Sequence, residues 1–399
     1  MNVLDILLLL AAVWFAIVGY RQGFVVGILS VIGFLGGGLV AVYTLPVIWD
    51  AVTDKANVGT TAAVVAVVVV IVCASVGQAL TTHLGNKLRR HITWSPARAL
   101  DATGGALVNV VAMLLVAWLI GSALAGTTLP TLGKEVRGSK VLLGVSRALP
   151  AQADTWFADF STVLAQNGFP QVFSPFANEP INDVRPPDPA LAGSPVATRA
   201  QRSIVKVTGT AQSCGKVLEG TGFVFADRRV MTNAHVVGGV DAPTVQIGGV
   251  GRRYDAKVVL YDWKRDIAVL DVPDLRATAL RFSGHEASGG EGAIVAGFPE
   301  NGSYDVRAAR VRGRITANGP DIYHRGTVSR DVYSLYTTVR QGNSGGPLLT
   351  PDGRVYGVVF AKSLDDAETG YALTADEIRP DADRGRMATE EVGTDSCAL

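Results

Sequence analysis

Four long apolar segments near the amino terminus constrain the fold more than any other feature. They are Val3–Tyr20, Phe24–Trp49, Val58–Leu80 and Ala102–Ala125. A helix needs about 20 apolar residues to cross a bilayer, and each segment is near or above that length. Lipid offers the backbone no hydrogen-bond partners, so these segments should be helical. We predict a four-helix transmembrane domain over residues 1–126.

The basic residues predict how these helices are oriented. The loop before the fourth segment contains Lys87, Arg89, Arg90 and Arg98, which the positive-inside rule places in the cytoplasm. The amino terminus and everything after the fourth helix then lie outside. The first segment begins with Asp5 and no Lys or Arg, so we expect a retained helix rather than a signal peptide. The bilayer is therefore a partner, whereas a net charge of +1 gives no electrostatic case for nucleic acid.

Several glycines in the first two segments are spaced by four and share a helix face. They serve either close packing within one bundle or self-association of the membrane helices. The residues are Gly19, Gly23, Gly27, Gly33 and Gly37. The strongly polar Asn109, inside the fourth segment, is expected to form an interhelical hydrogen bond.

Residues 127–199 have the composition of a linker. Its first half is compatible with one or two amphipathic helices near the membrane. Its end contains seven prolines between Pro170 and Pro195 and is expected to act as a semi-rigid stalk. We predict that residues 200–399 form a separate domain outside the cytoplasm, because short β-rich runs separated by turn signals indicate a barrel or sandwich.

Three of these runs carry reactive side chains in the order histidine, aspartate, serine. His235 lies in "MTNAHVV", Asp266 in "RDIAVL" and Ser344 in "GNSGGP". A serine hydroxyl becomes a good nucleophile when a histidine takes its proton and a carboxylate orients that histidine. Asp262 and Asp271 compete with Asp266 for the third role, and Asp266 is favoured because it begins a strand.

The glycines around Ser344 indicate an oxyanion hole. Gly342 can adopt backbone angles that direct its own N–H and that of Ser344 to one point, where the developing negative charge would lie. Gly345 and Gly346 leave room for a substrate. The edge of Gly357–Ala361 is expected to pair with the substrate backbone.

Two family resemblances rest on these motifs. The segment "LDILLLLAAVWFAIVGYRQGFVVGILSVIGFLGG" resembles the colicin V production family. The motifs "TNAHVV", "DIAVL" and "GNSGGPLL" resemble chymotrypsin-fold serine proteases, and the HtrA-like branch in particular. This second resemblance implies an all-β domain of two six-stranded barrels, with His235 and Asp266 on the first barrel and Ser344 on the second.

The whole architecture resembles the membrane-anchored acid-resistance serine proteases of actinobacteria, through "KVLEGTGFV", "GPDIY" and "DDAETG" among others. That resemblance implies cleavage of envelope proteins during acid or oxidative stress, and self-cleavage in the linker. Two positions differ from the digestive enzymes. Asn343 replaces an aspartate used in zymogen activation, and Thr338 replaces the aspartate that selects Lys or Arg.

The chain has three cysteines. Cys73 lies in the third apolar segment and is predicted to pack there. Cys214 and Cys397 both fall outside the cytoplasm, where disulfides persist, and we predict that they pair. The bond would fasten the carboxyl-terminal tail to the first barrel, either as a redox switch or as a static link.

Two other functional classes remain alternatives to a membrane-anchored serine endopeptidase. One is an inert protease fold that serves as an envelope sensor or adaptor. The other is a channel or transporter, which the lack of charged residues well inside the apolar segments disfavours. The spacing of Cys, His and carboxylate residues predicts neither a metal nor a cofactor.

Overall fold

A computed structural model describes residues 2–52, 60–91, 93–125, 135–149, 172–173, 179–212 and 214–398. The chain forms two compact units. The first contains residues 1–120 and 139–146, and the second contains residues 121–138 and 147–399.

The first unit is built from long apolar helices. They are α1 (Val3–Gln22), α2 (Phe24–Val52), α3 (Thr60–Arg89) and α4 (Ser95–Ala125), followed by the short α5 (Lys140–Ala148). Within the described residues, three segments are long and apolar enough to cross a membrane: Val3–Gln22, Phe24–Ala41 and Ser95–Ser122. The predicted third span, Val58–Leu80, falls on α3 and begins outside the described residues. Many of the large apolar side chains on these helices are exposed, as a lipid-facing surface requires.

The glycines of α1 and α2 allow close contact between helices inside the unit. A Cβ atom at Gly19 would collide with the carbonyl of Gly105 on α4, and one at Gly33 would collide with Gly77 on α3. Packing within the bundle therefore accounts for this spacing. The prediction for Asn109 was wrong: its Nδ2 donates to the Gly105 carbonyl one turn earlier in its own helix at 3.1 Å, and it forms no hydrogen bond to another helix within the described residues.

One ion pair organises the turn between α1 and α2. Asp101 accepts a hydrogen bond from the backbone N–H of Val25 at 3.0 Å and pairs with Arg89 Nε at 2.7 Å. Arg89 also donates to the carbonyl of Arg21 at 2.5 Å. Gly23 has a φ of +82°, and a Cβ there would collide with the Asp101 carboxylate. Position 23 therefore needs glycine both for this backbone conformation and because no side chain fits there.

The second unit begins with a seven-stranded antiparallel sheet in the order β5-β4-β1-β2-β3-β7-β6. The strands are β1 (Ile204–Ala211), β2 (Lys216–Ala226), β3 (Arg229–Thr232), β4 (Thr244–Ile247), β5 (Arg253–Asp255), β6 (Lys257–Asp262) and β7 (Ile267–Asp271). A six-stranded barrel was predicted here, whereas the described residues form a seven-stranded sheet with β5 and β6 at its two edges. The additional strand is β5, which the glycine-rich turn after β4 folds back onto β4.

Six further strands close into a barrel in the order β10-β13-β12-β11-β8-β9. They are β8 (Gly292–Gly297), β9 (Asp305–Pro320), β10 (Thr327–Tyr336), β11 (Pro347–Leu349), β12 (Val355–Lys362) and β13 (Thr369–Thr374). One hydrophobic cluster joins the sheet to the barrel and includes Phe223, Met231, Ile294 and Phe360. The two β structures therefore share a core.

The short helices α6 (Pro195–Ala200) and α7 (Ala234–Val237) precede β1 and follow β3. Helix α8 (Ala375–Met387) follows the barrel and leads into a carboxyl-terminal tail along the sheet. Thr394 of the tail accepts from Gly239 N–H at 3.1 Å and donates to the Val240 carbonyl at 3.2 Å. The predicted disulfide between Cys214 and Cys397 is present, with the Cα atoms 6.4 Å apart.

Part of the predicted stalk lies along the barrel instead of standing free. We call residues 179–188 the strap. Its carbonyls at Asn182 and Pro186 accept hydrogen bonds from Arg312 and Arg310 of β9, at 2.8 Å and 3.0 Å. An extended proline-rich chain has no internal hydrogen bonds, so its carbonyls are available to such donors.

Candidate active site

His235 and Asp266 form a doubly hydrogen-bonded pair. His235 lies in α7, and its ring Nδ1 is 2.7 Å from Asp266 Oδ2. Its backbone N–H donates to the other carboxylate oxygen at 2.9 Å. His235 is 6% exposed and Asp266 is fully buried, so this contact is shielded from water. A carboxylate that accepts the Nδ1 proton leaves Nε2 free to act as a base.

Asp266 is held in an unusual backbone conformation at the start of β7. Its φ is +66°, a region that aspartate tolerates better than most residues. Its carbonyl accepts a hydrogen bond from Asn233 Nδ2 at 2.7 Å, which ties Asp266 to the residue that precedes α7. The two competing aspartates bind arginines instead: Asp262 contacts Arg265, and Asp271 contacts Arg229.

Arg330 is a buried residue of the site that the sequence did not reveal. It lies on β10, is 1% exposed, and donates to the carbonyls of Lys264 and Pro320 at 2.9 Å and 3.1 Å. Burial lowers the pKa of this guanidinium. Through Lys264, an arginine of the barrel fixes the loop of the sheet that carries Asp266.

Ser344 occupies a tight turn before β11. Gly342 has a φ of +91° and Gly345 a φ of +82°, both in the left-handed region that glycine adopts without strain. A Cβ at Gly342 would collide with the Phe298 carbonyl. Asn343 Oδ1 accepts the backbone N–H of Arg340 at 2.9 Å, so the asparagine closes the turn.

Thr221 connects this turn to the sheet. Its hydroxyl donates to the Gly342 carbonyl at 2.6 Å and accepts from Phe298 N–H at 3.0 Å. Its backbone N–H donates to the Ser344 carbonyl at 2.8 Å. The side chain of Thr232 donates to the Thr221 carbonyl at 2.7 Å, which links the turn to the strand that leads to His235. Thr221 lies in "KVLEGTGFV", and nothing local in that segment reveals these distant contacts.

The turn presents two backbone donors beside a buried hydroxyl. In the described part of the chain, the N–H groups of Gly342 and Ser344 donate no hydrogen bond. Ser344 is 3% exposed, and its Oγ forms no hydrogen bond to His235 among these residues. Such contacts commonly tighten only when substrate binds. Over the same residues, no group of three His, Cys, Asp or Glu side chains is arranged to hold a metal ion.

An open strand edge lies next to the turn. Strand β12 pairs with β11 at Gly357 and Val358, and Val359 exchanges hydrogen bonds with Gly345 and Gly346. The prediction that Gly357–Ala361 form a free edge is therefore wrong for Gly357, Val358 and Val359, because these three residues already pair with β11 or with the turn before it. Beyond Val359, residues 360–362 extend past β11 and pair with β13 on their other side, and no further strand among the described residues pairs with them.

The chain matches two families over separate regions. Residues 4–150 match the colicin V production protein family, and residues 220–358 match the trypsin-like peptidase domain. The serine protease Rv3671c of Mycobacterium tuberculosis (strain H37Rv) is 39% identical over 401 residues, covering 99% of this chain and 98% of that protein. A probable periplasmic DegP-like serine endoprotease of Halomonas elongata is 30% identical over 226 residues, covering 54% of this chain and 42% of that protein.

A solved structure extends this similarity to the fold. The crystal structure of the Rv3671c protease in its active form is 44% identical, with a TM-score of 0.54. It covers 57% of this chain and 100% of the crystallised chain. The chain therefore belongs to the family of trypsin-like, HtrA-related serine proteases that includes Rv3671c, and it is a serine endopeptidase with a colicin V production region at its amino end.

Proposed function

We propose that this serine protease cleaves peptide bonds through a triad of His235, Asp266 and Ser344. His235 Nε2 takes the proton of the Ser344 hydroxyl as Oγ attacks the substrate carbonyl. Asp266 holds the imidazole in the required tautomer and stabilises the imidazolium that forms. The imidazolium then protonates the leaving amine, and water hydrolyses the acyl-serine with His235 again acting as base.

Two groups would stabilise the tetrahedral intermediates. The backbone N–H groups of Gly342 and Ser344 form the proposed oxyanion hole, and they need no reorganisation because Thr221 and Asn343 already fix the turn. One observation carries the proposal: both donors of His235 converge on the buried Asp266 carboxylate, and within the described residues the N–H groups of Gly342 and Ser344 donate no hydrogen bond.

The substrate would bind as an added strand along residues 360–362. Thr338 stands where trypsin-like enzymes that prefer Lys or Arg have an aspartate, so we expect no strict basic preference. The residue after the β12 edge is Ser363, which begins the connection to β13.

The membrane topology is proposed from the sequence. Four transmembrane helices over residues 1–126 would place the basic loop before α4 in the cytoplasm, and the linker (127–199) and protease domain (200–399) outside. We propose that the substrates are envelope proteins, that cleavage serves resistance to acid or oxidative stress, and that the linker is itself a substrate. Self-association of the membrane helices is a further proposal, although packing within the bundle accounts for the glycine spacing.

The catalytic proposal is tested with the purified full chain and its Ser344→Ala variant in detergent. Both are incubated with a peptide library, and the products are read by mass spectrometry. We expect cleavage by the parent chain and its loss in the variant. Cleavage that persists in Ser344→Ala would exclude Ser344 as the nucleophile, and no cleavage by a folded parent chain would favour the adaptor alternative.

The topology is tested by adding an external protease to spheroplasts that express the full chain. We expect digestion of epitopes within residues 200–399 and protection of an epitope inserted between α3 and α4, at Thr93. The reverse pattern would refute the proposed orientation.

A further inference from the structure

Residues 360–362, the proposed substrate edge, are followed by a loop that is bound by residues of the linker. We call residues 363–368, between β12 and β13, the β12–β13 loop. Ser363 is the first residue of the loop. The Ser363 hydroxyl accepts hydrogen bonds from the backbone N–H groups of Asp365 and Asp366, at 3.0 Å and 2.9 Å. The loop follows directly after residues 360–362, so a shift of the loop also moves the end of that edge.

Arg137, from the start of the linker, binds one side of this loop. Its side chain is 4% exposed. Nη2 donates to the Leu364 carbonyl at 3.0 Å, and both Nε and Nη2 donate to Asp365 Oδ1, at 2.9 Å and 2.6 Å. A buried guanidinium that binds a carboxylate and a carbonyl fixes their relative positions.

Glu179, the first residue of the strap, binds the same loop. The Glu179 carboxylate accepts hydrogen bonds from the backbone N–H of Leu364 at 3.1 Å and from the Ser363 hydroxyl. It also accepts one from the hydroxyl of Tyr371, at 3.0 Å. The ring of Tyr371 is buried in the core, so this contact anchors the strap to the rigid part of the barrel. Burial raises the pKa of the Glu179 carboxyl.

Both backbone groups of Leu364 are therefore bound by linker residues, although Arg137 and Glu179 lie 227 and 185 positions away in the chain. We propose that Arg137 and Glu179 are positioning residues that hold the β12–β13 loop beside the substrate edge, so that the linker determines how well extended peptides bind. This inference rests on the proposed function, because it takes residues 360–362 as the edge that receives substrate.

The test separates substrate positioning from general stabilisation. The full chain in detergent is compared with Glu179→Ala, which removes every contact of that carboxyl, and with Arg137→Gln. Asp183→Ala is the control for the first variant, because Asp183 is an exposed carboxylate of the same strap. Arg147→Gln is the control for the second, because Arg147 is exposed on α5. For each variant, hydrolysis is measured with two substrates: a long peptide that the parent chain cleaves, and a small ester that cannot reach the loop. Rates are expressed per active site, and active sites are counted by titration with a fluorophosphonate.

We expect KM for the long peptide to rise about ten-fold in each variant, with ester turnover per site and both controls unchanged. In the double variant, the fold-increase in KM should be smaller than the product of the two single increases, since both residues hold one loop. An equal loss of ester and peptide turnover would show a purely structural role and overturn the inference, as would an unchanged KM. Equal rates in the parent chain and Ser344→Ala would instead refute the catalytic assignment.

Discussion

The pairing of His235 with Asp266 makes a sharp prediction for Asp266→Asn. The carboxylate now accepts from two donors of His235, the backbone N–H and the ring Nδ1–H. An asparagine side chain has one carbonyl oxygen and one NH2 group, so it can satisfy only one of them. If the oxygen faces the backbone, the NH2 group faces Nδ1 and selects the tautomer with a proton on Nε2. That tautomer cannot take the serine proton.

We expect kcat to fall about 10⁴-fold, which corresponds to about 5.5 kcal/mol of transition-state stabilisation. If the amide adopts the other orientation, the buried backbone N–H loses its acceptor, and the free energy of unfolding falls by about 1–3 kcal/mol. The assay is peptide hydrolysis by the full chain, with urea unfolding on the same samples. Asp274→Asn is the control, because Asp274 is 73% exposed and its ion pair is with an exposed arginine. A folded Asp266→Asn variant that retains more than about a tenth of the activity would refute the assigned role.

Three further predictions concern the turn, the tail and the strap. Gly342→Ala should lower kcat at least about 10²-fold, because a side chain there opposes a positive φ and collides with Phe298; unchanged turnover would exclude an oxyanion role for this turn. Cys397→Ser should lower the unfolding free energy by up to about 5 kcal/mol under oxidising conditions only, since the bond closes a loop over a separation of 183 residues; an equal loss in reductant would contradict this. Burial, with the nearby Asp365 carboxylate, raises the pKa of Glu179, so the docked strap is favoured below the ordinary carboxyl pKa and weakened as pH rises through the raised value. Amide exchange in the strap, corrected for intrinsic rates, should be slower at about pH 4 than at about pH 7.5, and Glu179→Gln should remove that difference.

The sequence predicted features that depend on local chemistry. Apolar segments of sufficient length indicated the long apolar helices of the first unit, and short motifs around His235, Asp266 and Ser344 indicated the candidate site. The disulfide followed from the compartment in which both cysteines were expected. In each case the residue type and its near neighbours carry the information.

The contacts that the sequence did not predict join residues far apart in the chain. Thr221 fixes the Ser344 turn from 121 positions away, through its bond to Gly342, and Arg330 fixes the Asp266 loop through Lys264, 66 positions away. An ordinary threonine in a strand or an arginine in a barrel gives no local sign of such a role. The proline-rich segment likewise indicated a spacer, and only the placement of Arg310 and Arg312 reveals that the barrel binds it.

The most direct test of the central claim is to locate the reactive nucleophile. The full chain is treated with a fluorophosphonate, and the adduct is located by peptide mass spectrometry. We predict one adduct per chain on Ser344, none on Ser344→Ala, and strongly slowed labelling of His235→Ala. A stoichiometric adduct on another serine, or labelling of Ser344 that is independent of His235, would contradict the proposed triad.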